Sequence, residues 1–236
     1  MEKHYKENYE ELSKQGALMM IDVIKEKPNA NITLATGGSP KRMYEIFVEE
    51  VKKTNIDISQ VIFTKLDEWC GLDKEDEATC EYFIQEHLLK PLSFNLEHFI
   101  GFNPETKDID EEIKKMNQFL ELHPIDLCIL GLGMNGHLGL NEPNEHLQVD
   151  SHKIAISAKT KTHDMIKRKN VEYGVSMGMG NLMKSKKILM LISGDKKEEA
   201  YTKLMKGEIT THLPASFLWL HSHCVMLIDK EKFTKI

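Results

Sequence analysis

Four consecutive apolar residues with no helical spacing, Leu127 to Leu130, run straight into Gly131, Gly133, Gly136 and Gly139. Such a run predicts a strand buried on both faces of a parallel sheet. Glycines spaced this way admit positive φ and let a ligand approach the main chain closely. Open α/β sheets bind their ligands at the carboxyl ends of strands, so the loop from Gly131 to Pro143 is the first candidate site. It carries His137, which exchanges protons near neutral pH, and Glu142, which can orient or polarise an imidazole. Asn135, Gly136 and Asn141 stand beside them.

Two further apolar runs end in loops of the same kind. Ile32 to Ala35 leads into Thr36-Gly37-Gly38-Ser39-Pro40-Lys41 and a helix through about Val51. Glycines, a hydroxyl and a proline near the first helical position present backbone amides and a helix amino terminus, which together hold a phosphate. Ser39 also suits the N-cap of that helix. The spacing is not that of a Walker loop. Val61 to Leu66 delivers Asp67-Glu68-Trp69. Adjacent carboxylates on an extended chain point to opposite sides, so one of the two is expected to face a ligand.

The remaining chain continues the alternation. Apolar spacing predicts an opening helix from Tyr9 that ends before Pro28, and helices over Glu81 to Leu89, Ile109 to Leu122 and Met177 to Met183. Strands are expected at His98 to Phe102, at Lys187 to Ile192 and at Cys224 to Ile228. Gly194-Asp195-Lys196-Lys197 turns into a helix reaching about Lys206, and Pro214 to His221 reads as a short helix. Ser151 to Asn170 is polar and basic, with Lys153, Lys159, Lys161, His163, Lys167 and Arg168. Beside a site it suggests a lid over about 151–182 carrying positive charge toward an anionic substrate; a solvated basic surface is the competing explanation. The whole predicts one α/β domain over 1–236, a single Rossmann-like open and mostly parallel sheet with helices on both faces.

With 41% hydrophobic and 29% charged residues in 236, the composition is that of a globular chain with a large core. A net charge of -6 with scattered lysines argues against general nucleic-acid or membrane-surface binding. Cys70, Cys80, Cys128 and Cys224 form no Cys-x-x-Cys pair and are read as reduced core residues. The polar amino terminus lacks the apolar stretch of a signal peptide, and no run approaches membrane-spanning length, so a cytoplasmic location is expected. The histidines show no tight ligand spacing, and no metal is expected.

Together, Ala35 to Pro40, Leu66 to Trp69 and Gly131 to Pro143 resemble the glucosamine-6-phosphate deaminase and 6-phosphogluconolactonase family over nearly the whole chain. Asn135 to Pro143 and Pro214 to His221 look most like its galactosamine-6-phosphate deaminase/isomerase branch. The resemblance implies a catalyst without cofactor or metal that converts a small amino-sugar phosphate, galactosamine 6-phosphate, into tagatose 6-phosphate and ammonia. It implies Asp67 as the base between C2 and C1, His137 as the ring-opening acid/base and Glu142 as its orienting partner. It further implies Gly37, Gly38 and Ser39 as the phosphate loop and Lys197 as a phosphate-binding lysine. The family's lid arginine has no clear counterpart, and His163 and Lys167 are the candidates to replace it.

One departure concerns Asn135, where glucosamine-6-phosphate deaminases carry Asp. An amide holds a hydrogen bond but cannot raise an imidazole pKa as a carboxylate does, which favours the galactosamine branch over glucosamine 6-phosphate and fructose 6-phosphate. Lactonases of the family typically have Arg after the Asp-Glu pair and lack Asn-Glu-Pro, whereas this chain has Trp69 and Asn141-Glu142-Pro143. A non-catalytic sugar-phosphate sensor on the same sheet is the rival of another class. The expected absence of an amino-terminal helix-turn-helix segment and the presence of the proton-transfer residues speak against it. The sequence leaves room for a homo-oligomer.

Overall fold

The computed structural model describes residues 1–156, 166–167 and 169–233. In chain order the elements are β1 (Glu2–Lys6), α1 (Tyr9–Glu26), β2 (Asn31–Leu34), α2 (Gly38–Thr54), β3 (Ile62–Lys65), β4 (Asp67–Cys70) and α3 (Cys80–Ile84). The last of these continues through a π turn, Gln85–Leu89, into α4 (Lys90–Leu92). Then come β5 (Phe99–Ile100), α5 (Ile109–Leu122), β6 (Leu127–Gly131), β7 (His152–Ala155), β8 (Tyr173–Ser176), α6 (Met179–Met183), β9 (Lys187–Ile192), α7 (Glu198–Met205), a 3-10 helix at Pro214–Leu220 and β10 (Cys224–Asp229).

Seven strands form one parallel sheet in the order β1-β10-β9-β6-β2-β3-β5. Central strands bury both faces, and alternate residues feed two cores. On β6, Cys128 and Leu130 join one cluster while Leu127 and Ile129 join the other; on β9, Ile188, Met190 and Ile192 oppose Leu189 and Leu191. One cluster is completed by α1, α2 and the α3 region, the other by α5, α6, α7 and the 3-10 helix. The expected sheet with helices on both faces is thus observed. Side-chain caps fix the helix starts: Asn8 accepts from Glu11 N on α1, Thr79 from Tyr82 N on α3 and Asp108 from Glu111 N on α5.

Four strands, β1, β4, β7 and β8, lay outside the sequence expectations. β1 is a polar edge strand pairing only with β10. β8 pairs antiparallel with both β4 and β7 as the middle strand of a second, three-stranded sheet. The interval expected as a lid therefore contains, in its described part, two strands and α6, while 157–165 and 168 lie outside the described residues. No helix among the described residues is long and apolar enough to cross a membrane.

Candidate active site

The chain builds β2, β3 and β5 outward in one direction, then returns to place β6 on the other side of β2 and continues through β9 to β10, which lies between β9 and the amino-terminal edge strand β1. The order reverses between β2 and β6, which is where open α/β sheets form a ligand crevice beyond the strand carboxyl ends. The loops after β2, β3, β6 and β9 all leave from that edge.

The loop after β2 has the shape of an anion cradle. Gly37 caps α2 with φ 100, and a Cβ at Gly37 or Gly38 would meet no atom within 4 Å. A side chain at Gly37 is excluded by conformation, not by space, so the loop keeps its backbone open to the crevice. Ser39 is not the N-cap expected from its sequence; α2 starts one residue earlier, at Gly38. That register puts the Ser39 hydroxyl in the first turn, where it accepts from Lys197 Nζ at 2.8 Å. Lys197 follows the turn after β9, and burial pulls its ammonium down to about 8. A lysine and the start of a long helix thus converge on one point, an arrangement suited to an oxyanion.

The loop after β3 holds the two adjacent carboxylates, now strand residues of β4. They have opposite environments. Glu68 is fully buried and takes four donors: Trp69 N and Cys80 N at 2.8 Å, Glu81 N at 2.9 Å and Lys65 Nζ at 2.7 Å. It pins the first turn of α3 to β4. Lys65, also fully buried, reaches Glu81 at 2.7 Å as well. Burial works against the Lys65 ammonium, but the Glu68 and Glu81 carboxylates outweigh it and hold its pKa above the ordinary lysine value. Asp67 is buried too, yet among side chains it is met by the Cys80 thiol at 3.7 Å. Burial first, then the Glu68 charge, push Asp67 up to about 7. Such a carboxyl exchanges protons near neutral pH.

The loop after β6 sets the imidazole. His137 Nδ1 lies 2.7 Å from Asn135 Oδ1 and 3.3 Å from Glu142 Oε1. Two oxygens there assign the ring proton to Nδ1, so in the neutral tautomer Nε2 carries the lone pair. Asn135 Nδ2 donates to Glu142 Oε2 at 2.6 Å, closing a three-residue clamp. A carboxylate at position 135 could not make that donation. The loop is seated by Leu140 N donating to Ser176 Oγ at 3.1 Å and by Asn141 Nδ2 donating to the Leu138 and Met177 carbonyls. Gly136 has φ 85, and a Cβ there would lie 2.2 Å from Leu213; its carbonyl accepts from Ala215 N at 2.9 Å. These contacts account for a glycine at 136 without a ligand, in contrast to Gly37 and Gly38.

Of the residues singled out from the sequence, the structure brings together His137, Asn135 and Glu142 as one group and Ser39 and Lys197 as another. Asp67 is linked to the cradle loop through Cys80, whose sulfur accepts from Thr36 Oγ1 at 3.3 Å. Lys167 is exposed on the turn beginning at Ile166, and His163 lies outside the described residues. Cys80 was read as an ordinary core residue. Its signal was the Thr79 N-cap immediately before it, which sets a thiol in the first turn of a helix. No group of three or more metal-ligating side chains occurs among the described residues.

A doubly wound sheet with an anion cradle, a near-neutral carboxylate and an oriented imidazole at its crevice has the makings of a sugar-phosphate enzyme. Residues 4–227 match the family described as glucosamine-6-phosphate isomerases/6-phosphogluconolactonase. The glucosamine-6-phosphate deaminase of Thermoanaerobacter sp. (strain X514) is 38% identical over 233 residues, covering 95% of this chain and 90% of that protein. AgaI of Escherichia coli (strain K12), provisionally named a deaminase, is 39% identical over 225 residues, covering 94% and 90%. A solved structure described as a monomeric glucosamine-6-phosphate deaminase of the NagB superfamily superposes with TM-score 0.93 at 32% identity over 98% of each chain. The 6-phosphogluconolactonase of Trypanosoma brucei, at TM-score 0.78 and 18% identity over 98% of this chain and 96% of that one, shares the fold. The chain belongs to the glucosamine-6-phosphate isomerase/6-phosphogluconolactonase family.

Proposed function

We propose that this amino-sugar-phosphate deaminase acts on galactosamine 6-phosphate, yielding tagatose 6-phosphate and ammonia. The observation that carries the chemistry is the near-neutral Asp67 carboxyl at the end of β3, on the same sheet edge as the clamped His137 imidazole. The substrate phosphate lies on the α2 amino terminus with Ser39 and Lys197. Imidazolium His137, with Glu142 as counter-charge, protonates the ring oxygen through Nε2 as the C1 hydroxyl gives its proton to solvent water, opening the pyranose to the aldehyde. Asp67 takes the C2 proton, made acidic by the adjacent carbonyl, and the electrons move onto O1, which water reprotonates to give an enolamine. Returning that proton to C1 leaves an iminium at C2; water adds there, and ammonia leaves as the ketone forms. Asn135 holds Glu142 and the ring in register without adding a second negative charge.

Galactosamine 6-phosphate is supported by Asn135 and by the likeness of 135–143 and 214–221 to that branch. Glucosamine 6-phosphate is the second reading, supported by the 38% and 32% identical proteins that carry that substrate in their names. A panel decides between them: ammonia release from the two epimers and their N-acetyl forms, with phosphogluconolactone hydrolysis alongside. Faster turnover of galactosamine 6-phosphate is expected, because a misoriented hydroxyl leaves buried polar partners unpaired. Clearly faster turnover of the glucosamine epimer assigns the enzyme to the other sugar.

A further inference from the structure

We propose that Cys80 is a positioning residue for the Asp67 carboxylate, joining the base to the phosphate loop through a hydroxyl–thiol–carboxylate chain. This rests on the reading of Asp67 as the base. Thr36, which opens the phosphate loop, donates from Oγ1 to Cys80 Sγ at 3.3 Å, and Cys80 Sγ donates to Asp67 Oδ1 at 3.7 Å. The direction is set by sulfur accepting from the hydroxyl, which leaves the thiol proton for the carboxylate. Cys80 is itself fixed: it is buried at the first position of α3, and its backbone N–H donates to Glu68 Oε1 at 2.8 Å. The four-donor Glu68 thus serves to place a sulfur against its neighbour.

A thiol is a weak donor, and that weakness suits the position. A strong donor would hold Asp67 ionised but unreactive; no donor would leave a buried carboxylate protonated at neutral pH. The charged and titratable groups around Asp67 are Glu68 beside it on β4, Lys65 at the end of β3, Tyr44 on α2 and Cys80 on α3. β8 faces it with Ser176, and the loop after β6, packed on Leu66 and Ser176, carries His137 and Glu142. Of these, Lys65 and Cys80 favour the ionised form, and Cys80 alone of the two contacts the carboxylate. Because Thr36 lies in the cradle loop, an anion bound there can reach the base through two hydrogen bonds.

The test titrates the Asp67 carboxyl directly by 13C NMR, its resonance assigned by its loss in Asp67→Asn, and measures the acid limb of kcat/KM for ammonia release in the same proteins. Cys80→Ala is expected to move both midpoints up by about half a unit to one unit, the range that one modest hydrogen bond supplies. Cys80→Ser should hold them at or below wild type, and Thr36→Val should raise them by less than Cys80→Ala. A wild-type carboxyl midpoint in folded Cys80→Ala and Thr36→Val overturns the proposal. If Cys80→Ala does not fold, Thr36→Val and Cys80→Ser decide: a raised midpoint in the first and none in the second supports it, and unchanged midpoints in both overturn it. A carboxyl midpoint that moves while the kcat/KM limb stays in place leaves Cys80 holding the carboxylate and removes Asp67 as the base.

Discussion

Asp126 and Asp67 are both buried aspartates bordering strands of the same sheet, the first at its amino edge before β6 and the second at its carboxyl edge after β3. Asp126 Oδ2 accepts from Lys27 Nζ at 2.7 Å and Asn31 N at 2.9 Å, and its Oδ1 accepts from Lys186 Nζ at 2.9 Å. Burial alone would raise its pKa, but the two lysines and the amide outweigh it and hold it below the ordinary aspartate value. Asp67 has one thiol and a neighbouring carboxylate, and it rises to about 7. At the amino edge the charge is neutralised and ties β2, β6 and β9 together. At the carboxyl edge it is left under-compensated, at a cost in stability, and can therefore change its protonation state near neutral pH.

The largest expected effect separates the two. Asp67→Asn removes the proton acceptor and should lower kcat by about a hundred- to ten-thousandfold, with substrate binding retained. Stability should move the other way. A carboxyl raised from 3.8 to about 7 destabilises the folded state progressively as pH climbs through that window, because the unfolded chain ionises first. At pH 8 the amide variant should therefore be at least as resistant to urea as wild type. Turnover near wild type would remove Asp67 from the chemistry, and a clear loss of stability would place it beside Asp126 as a structural group.

Much of this contrast was legible beforehand, and the limits have physical causes. Lys187–Ile192 and Ile109–Leu122 match their expected spans because a doubly buried strand and an amphipathic helix carry their patterns locally. β1 was missed because Glu2–Lys6 is a polar edge strand that exists through β10 alone. β7 and β8 were missed because β8 finds its partner in β4, about a hundred residues earlier, and β7 is held in turn by β8. Asp67, His137, Glu142 and Lys197 could be singled out beforehand because their loops carry glycines and charge. The fate of Glu68 could not be, since three of its donors are backbone amides, including two from the start of α3, and no residue pattern records them.

A smaller effect tests the amino edge. Asp126→Asn should cost about 2 kcal/mol in urea unfolding at pH 7, in the range for losing hydrogen bonds to a charged group, with kcat unchanged. Its sign with pH is opposite to that of Asp67. A carboxyl held below 3.8 contributes its stability above that pH and loses it as pH falls through the folded value, so wild type and variant should converge in acid. A loss of activity in the folded variant would show that the two edges are coupled.

The smallest effect concerns Lys197, a lysine at the carboxyl edge whose pKa burial displaces downward to about 8. Its ammonium has one observed partner, the uncharged Ser39 hydroxyl, so burial is not offset by a carboxylate as it is for Lys65. Below about pH 8 it is charged and suited to bind a phosphate; above, the free enzyme loses that charge. The pH dependence of kcat/KM reports free-enzyme groups, so it should fall on the alkaline side with a midpoint near 8. Lys197→Ala should raise KM about tenfold at neutral pH, a loss of roughly 1.4 kcal/mol, and should abolish that limb while leaving the acid limb of Asp67 in place. An alkaline limb that persists in Lys197→Ala assigns the titration to another group, and an unchanged KM for the phosphorylated sugar takes Lys197 out of the cradle. Either result would leave Asp67 as the sole carrier of the contrast between the two edges.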